Sequence, residues 1–186
     1  MYYSTHTIFV HAAQILNSNL IMDLGCLDAK DTMTFNMEFP QATIIGFEAN
    51  PNNYEKLAGR KDILENNIQI HNLAVSDQTR IIEFYLYNLP DIERDWIVSM
   101  KKHYSLIPFD KVEVKSTKLD HYLSEFDSIS ENMSIWIDVE GAAYEVLIGL
   151  GSYINQVGTI HVELEIRAMY YTQTVFSEVN NLLMDN

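Results

Sequence analysis

The sequence predicts a doubly wound α/β fold built on a mostly parallel sheet. Three observations predict it: short, β-branched apolar runs alternate with segments of helical spacing, several runs end abruptly on an acid, and the first breaks at a glycine before polar sequence resumes. The centre of the pattern is Leu20–Leu24 followed by Gly25-Cys26-Leu27-Asp28-Ala29-Lys30-Asp31. A strand, a tight turn and a helix start bring backbone N–H groups to the carboxyl edge of a sheet, where open α/β folds bind nucleotide-like ligands. Asp23 ends this strand, and a carboxylate there costs stability unless it meets a partner. It can equally serve to cap the turn, with Gly25 supplying a positive φ.

The other elements follow in order. Residues 7–17 have helical spacing with Ile8, Ala12, Ile15 and Leu16 on one side, and His6 and His11 read as packing or solvated groups. Asp31-Thr32 is read as the cap of a helix over 31–39, which Pro40 ends. Residues 43–48 form a second strand ending on Glu48. Asn50 then caps, and Pro51 opens, a helix running to about Glu65. A third strand covers 68–73, with Asp77 in the loop beyond it. Arg80–Tyr87 alternates as a strand does, and 88–111 is irregular and aromatic, a length of loop that usually carries function. A short strand at 112–115, a helix at 119–126, a core strand at 134–138 and a helix at 142–150 come next. A fifth core strand at 158–165 and a helix at 175–184 complete a single domain over 1–186, with all strands expected in one sheet.

Composition narrows the function. With 186 residues, 47% of them hydrophobic, the chain can bury a sizeable core. No apolar run approaches the ~20 residues that span a bilayer, and the first residues lack the pattern of a signal peptide. A lone cysteine, Cys26, cannot form an internal disulfide and suits a reducing, cytoplasmic setting, where a packing role beneath the turn is expected of it. The net charge of −14 repels phosphate backbones and anionic membranes, so nucleic-acid partners are disfavoured and cations or neutral small molecules fit better.

Asp23, Glu48 and Asp77 close the first three strands of the pattern. Acids in those places suit a nucleoside with a cationic group better than a pyrophosphate, for which the fuller G-x-G-x-x-G would be wanted. The ligand inferred is S-adenosylmethionine. Glu48 would take the ribose, Asp77 would lie near the adenine amino group, and Asp23 with the Gly25 loop would lie near the methionine end; Asn50, beside Glu48, completes the cofactor-binding set.

The chain resembles the FkbM family of S-adenosylmethionine-dependent methyltransferases. The resemblance rests on Met22-Asp23-Leu24-Gly25, Gly46-Phe47-Glu48-Ala49-Asn50-Pro51 and Asn72-Leu73-Ala74-Val75-Ser76-Asp77. It continues in Lys118-Leu119-Asp120, in the run from Ile137-Asp138-Val139-Glu140-Gly141 to Gly149, and in Val162-Glu163. It implies a Rossmann-like sheet of the class I methyltransferase type and O-methylation of a sugar, glycan or related small metabolite. A neutral hydroxyl must lose its proton, and Asp138 and Glu140 are the candidate bases. Glu140 can equally cap the next helix while Asp138 orients the loop. The pair with Glu163 is also a candidate oxygen-ligand set for a divalent metal, which the reaction does not require. His161 is an alternative base, with a core role expected of it.

Two departures from the family are visible. Its first motif usually continues Ala-Asn-x-Gly, where this chain has Cys26, Leu27 and Ala29. It also usually ends with a further strand or hairpin, so the sheet is expected to lack that piece or to be completed in a homo-oligomer. An S-adenosylmethionine-binding module with impaired catalysis is therefore the competing class. A nicotinamide-dependent oxidoreductase is disfavoured by the missing G-x-G-x-x-G.

Overall fold

Leu20–Leu24 and Met133–Ile137 are buried at every position, and a strand covered on both faces must be parallel and central. They pair in parallel at the middle of the sheet in the computed structural model, which describes residues 4–66, 68–87, 98–126 and 132–185. The order is α1 (Thr5–Ile15), β1 (Leu20–Leu24), α2 (Lys30–Glu38), β2 (Thr43–Phe47), α3 (Pro51–Ala58), α4 (Lys61–Glu65), β3 (Gln69–His71) and β4 (Ala74–Val75). Then come β5 (Arg80–Tyr87), β6 (Val98–Ser99), β7 (Phe109–Thr117), α5 (Leu119–Leu123), β8 (Met133–Ile137), α6 (Ala143–Gly149), a 3-10 segment (Gly151–Gln156), β9 (Val157–Val162) and α7 (Phe176–Met184).

The core sheet runs β3-β2-β1-β8-β9, all parallel. Alternation along each strand divides the core into two layers. Met22, Leu24, Phe47, Ile135 and Ile137 face α5, α6 and α7 through Leu119, Val146 and Val179. Ile21, Ile44 and Trp136 face α1 to α4 through Phe9, Phe35, Leu57 and Ile63. Each such buried side chain contributes about 2 kcal/mol of transfer free energy. The predicted doubly wound parallel architecture is thus present, and the chain changes direction across the sheet between β1 and β8.

Four readings differ from expectation. First, the strands do not share one sheet: β4-β7-β5-β6 form a second, mostly antiparallel sheet. Its strands alternate, so they can bury only one face, and that face packs Phe84 and Val114 with Ile82 and Val98. Second, the helix expected to reach Glu65 breaks at Gly59-Arg60 into α3 and α4. Third, α1 buries Phe9, Val10 and Ala13, leaving Ile8 and Ile15 exposed. The larger Phe9 ring sets the helix's rotation by packing edge-on against Trp136, with ring centroids 5.2 Å apart. Fourth, Asp31-Thr32 does not cap α2, whose N-cap is Ala29 in a left-handed conformation. The irregular stretch 88–111 contains β6 and the start of β7, while 88–97 lies outside the described residues. β9 stands at the sheet edge, with no strand after it among the described residues. Among those residues no helix is long and apolar enough to cross a membrane.

Candidate active site

Beyond the paired carboxyl ends of β1 and β8 the chain turns to opposite faces of the sheet, above which lies a crevice of about 320 Å³. This is the topological switch point of an open α/β sheet, the place where such folds bind ligands. One wall is apolar, formed by Leu73, Ala74, Val75, Phe84 and Met100; Glu48, Asp138, Glu140 and Glu163 supply carboxylates.

Gly25 turns the chain out of β1 at φ +88°, and a Cβ there would lie 2.0 Å from the Asp138 carbonyl oxygen. The turn is held by Gly25 and Cys26, whose N–H groups donate to the Phe47 carbonyl at 2.9 and 3.0 Å. Glu48 joins two loops: its Oε2 accepts from Leu27 N and its Oε1 from Asn50 N, both at 2.8 Å. Burial raises Glu48 to about 7, although these two N–H donors and Asn53 favour its ionised form. Asn50 is fully buried and caps α3, its side chain accepting from Asn52 N at 3.0 Å while its Nδ2 has no partner among the described residues.

The change in the first motif falls on informative ground. Leu27 and Ala29 have φ of +46° and +58°, the left-handed region that asparagine and glycine tolerate and other residues enter at a cost of about 1–2 kcal/mol.

Asp23 lies beneath this loop and not on the crevice wall. It is 2% exposed, accepts a 2.5 Å hydrogen bond from the Thr32 hydroxyl, and is raised to about 7 by burial. It ties the first turn of α2 to β1. Asp77 also stands apart, in a second depression with Ser76 and Arg80. The physical reason is that β3 stops at His71 and the chain passes into β4 of the other sheet, carrying Asp77 beyond the crevice that Leu73 to Val75 line. Cys26 is buried under the turn, its sulfur against Gly46, and burial pushes its thiol well above the usual range. His161 stacks on Trp136 with ring centroids 3.5 Å apart and does not line the crevice.

Asp138 and Glu163 follow adjacent strands side by side at the crevice, both open to solvent. Partial loss of hydration at the crevice and the neighbouring carboxylates of Glu163, Glu140 and Asp23 raise Asp138 to about 7. Glu140 is raised by burial, while its Oε2 accepts from the Tyr170 hydroxyl at 2.6 Å. Among the described residues no three His, Cys, Asp or Glu side chains are grouped to hold a metal ion, and Asp138, Glu140 and Glu163 are not assembled as such a set. Sequence reasoning missed Tyr170, which lies 30 residues from its partner in a loop without periodic signal.

These buried carboxyls have a measurable consequence. Asp23 and Glu48 titrate near 7 in the fold, against about 4 in an unfolded chain. Between those values the folded state holds more protons, so stability is greatest below the unfolded pKa and is lost as pH rises through the folded one. Thermal melting is expected at a higher temperature at pH 5 than at pH 8, and Glu48→Gln should narrow the difference. Identical melting at both pH values would contradict the burial of charge described above.

The sheet order and the crevice define a Rossmann-like methyltransferase fold. The chain belongs to the FkbM methyltransferase family: the model of the methyltransferase FkbM domain matches residues 28–186. It is also 27% identical over 173 residues to a protein named 2-O-methyltransferase NoeI from Sinorhizobium fredii (strain NBRC 101917 / NGR234), a match covering 88% of this chain and 70% of that protein. No solved structure matches.

Proposed function

We propose that this methyltransferase moves the methyl group of S-adenosylmethionine to a hydroxyl oxygen of a sugar, a glycan or a related small metabolite. The observation that carries the reading is the switch-point crevice, with an apolar wall and Glu48 toward one side and the Asp138–Glu163 pair toward the other. The apolar wall suits the faces of a purine. Glu48, anchored by the Leu27 and Asn50 N–H groups and by Asn53, has four lone pairs in all and so keeps one for a ribose hydroxyl. The carboxylates and the net charge of −14 favour a cationic sulfonium.

S-adenosylmethionine, when bound, supplies an electrophilic methyl group. The chain's own residues orient the acceptor oxygen in line with that group and shield it from water. Asp138 would take the proton of the hydroxyl that receives the methyl group, with Glu163 beside it at the neighbouring strand end. The name of the NoeI relative supports oxygen as the atom methylated.

Calorimetric titration tests the cofactor. S-adenosylmethionine and S-adenosylhomocysteine are expected to bind and NAD is not, with Glu48→Gln weakening both by about 10-fold, the worth of a hydrogen bond to a charged group. Absence of binding by the intact protein would overturn the reading.

A further inference from the structure

The two candidate bases are held in unlike ways. Asp138 lies beside Glu163 across neighbouring strand ends. Glu140 is clamped elsewhere: Tyr170 donates to its Oε2 at 2.6 Å, and the Ser99 hydroxyl donates to its backbone carbonyl, also at 2.6 Å. Its other carboxylate oxygen takes no hydrogen bond among the described residues, and the residue lines the crevice.

Tyr170 is itself immobile. It is 2% exposed, and its ring lies so close over Gly141 that a Cβ there would meet Cδ2 at 2.4 Å. His103 packs edge-on against it, with ring centroids 5.0 Å apart, and pairs with it as an antiparallel bridge. Two backbone bonds flank that bridge, Tyr104 N to Met169 O at 2.9 Å and Tyr171 N to Lys102 O at 2.8 Å. A carboxylate fixed from both its side chain and its backbone is built to hold a partner still. Asp138 supplies the base in the reading above, which leaves the other oxygen of Glu140 to bind.

The geometry points to Glu140 as a fixed hydrogen-bond acceptor for a second hydroxyl of the substrate, next to the one methylated, with Tyr170 as its positioning residue. The acceptor class is then a vicinal diol, as on a pyranose ring. This inference rests on the hydroxyl-acceptor reading of the same crevice. Glu140 follows Asp138 by two residues and both line the same crevice, so the two carboxylates address one bound substrate.

The test uses methyl glucoside, galactoside and mannoside, each with its monodeoxy derivatives, and labelled S-adenosylmethionine. Methyl transfer is measured with the wild type, Tyr170→Phe and Glu140→Ala, and the methylated position is read by NMR. For the wild type, deleting the hydroxyl beside the methylated one is expected to lower kcat/KM by about 10-fold or more, mainly through KM, because a site built to bind a hydroxyl rejects its deoxy analogue. Both variants are expected to bind S-adenosylmethionine as the wild type does, yet to discriminate between the two glycosides by less than about threefold. Discrimination that survives both substitutions, or a deoxy glycoside turned over as fast as its parent, overturns the inference while leaving O-methylation standing. S-adenosylmethionine binding without transfer to any glycoside removes the sugar-acceptor reading and this inference with it.

Discussion

Replacing Asp138 with asparagine is expected to lower kcat by about 10²- to 10⁴-fold, the range a positioned general base contributes, with S-adenosylmethionine binding retained. The argument begins with geometry. Asp138 N donates to the Leu24 carbonyl at 2.9 Å, which fixes the residue at the joined carboxyl ends of β1 and β8. Partial loss of hydration at the crevice together with neighbouring negative charge raises it to about 7. A base must be ionised to work, so kcat/KM should rise with pH through about 7 and level off above it. Glu163→Gln removes a like charge and offers Asp138 an amide donor, both of which favour the carboxylate, so the midpoint should move to lower pH. Asp138→Asn should abolish the rising limb altogether. A wild-type rate in the asparagine variant, or an unmoved midpoint in Glu163→Gln, would assign the proton to another group.

What was legible in the sequence follows from how local each signal is. β1, β2 and β8 are buried on both faces, so their residues read as short continuous apolar runs, and the acids after them mark the carboxyl edge without any tertiary knowledge. Gly25 and Glu48 were found this way, Asp138 and Glu140 through the family resemblance, and the structure brings all four to one crevice. Asp77 was not placed correctly because its position depends on which sheet β4 joins, a long-range choice made by the pairing of β4 with β7. The rotation of α1 turned on one aromatic contact, between Phe9 and Trp136, that outweighs a wider stripe of aliphatic residues. Tyr170 carried no signal because its bond to Glu140 joins two irregular segments. The departures at Leu27 and Ala29 were visible, but their meaning became physical only once both proved to have positive φ.

Gly25→Ala is expected to destabilise the fold by about 3 kcal/mol or more, in the range reserved for strained backbone and overpacked positions, and to abolish S-adenosylmethionine binding. Two effects act together. At φ +88° any L residue is strained whatever the space around it. In addition the new methyl carbon would sit 2.0 Å from the Asp138 carbonyl oxygen, a backbone atom held in the sheet by the pairing of β8 with β1 and β9. Relief requires the ends of β1 and β8 to part, which breaks the bond from Asp138 N to Leu24 O and displaces the candidate base. Gly59→Ala is the matched control: it lies at a helix end with φ −100°, and a Cβ there meets nothing within 4 Å. That substitution should be close to neutral, within about 0.5 kcal/mol. Urea denaturation of both variants beside the wild type measures the difference. A Gly25→Ala protein as stable as Gly59→Ala would mean that β1 and β8 do not approach as described, and the crevice built between them would have to be drawn again.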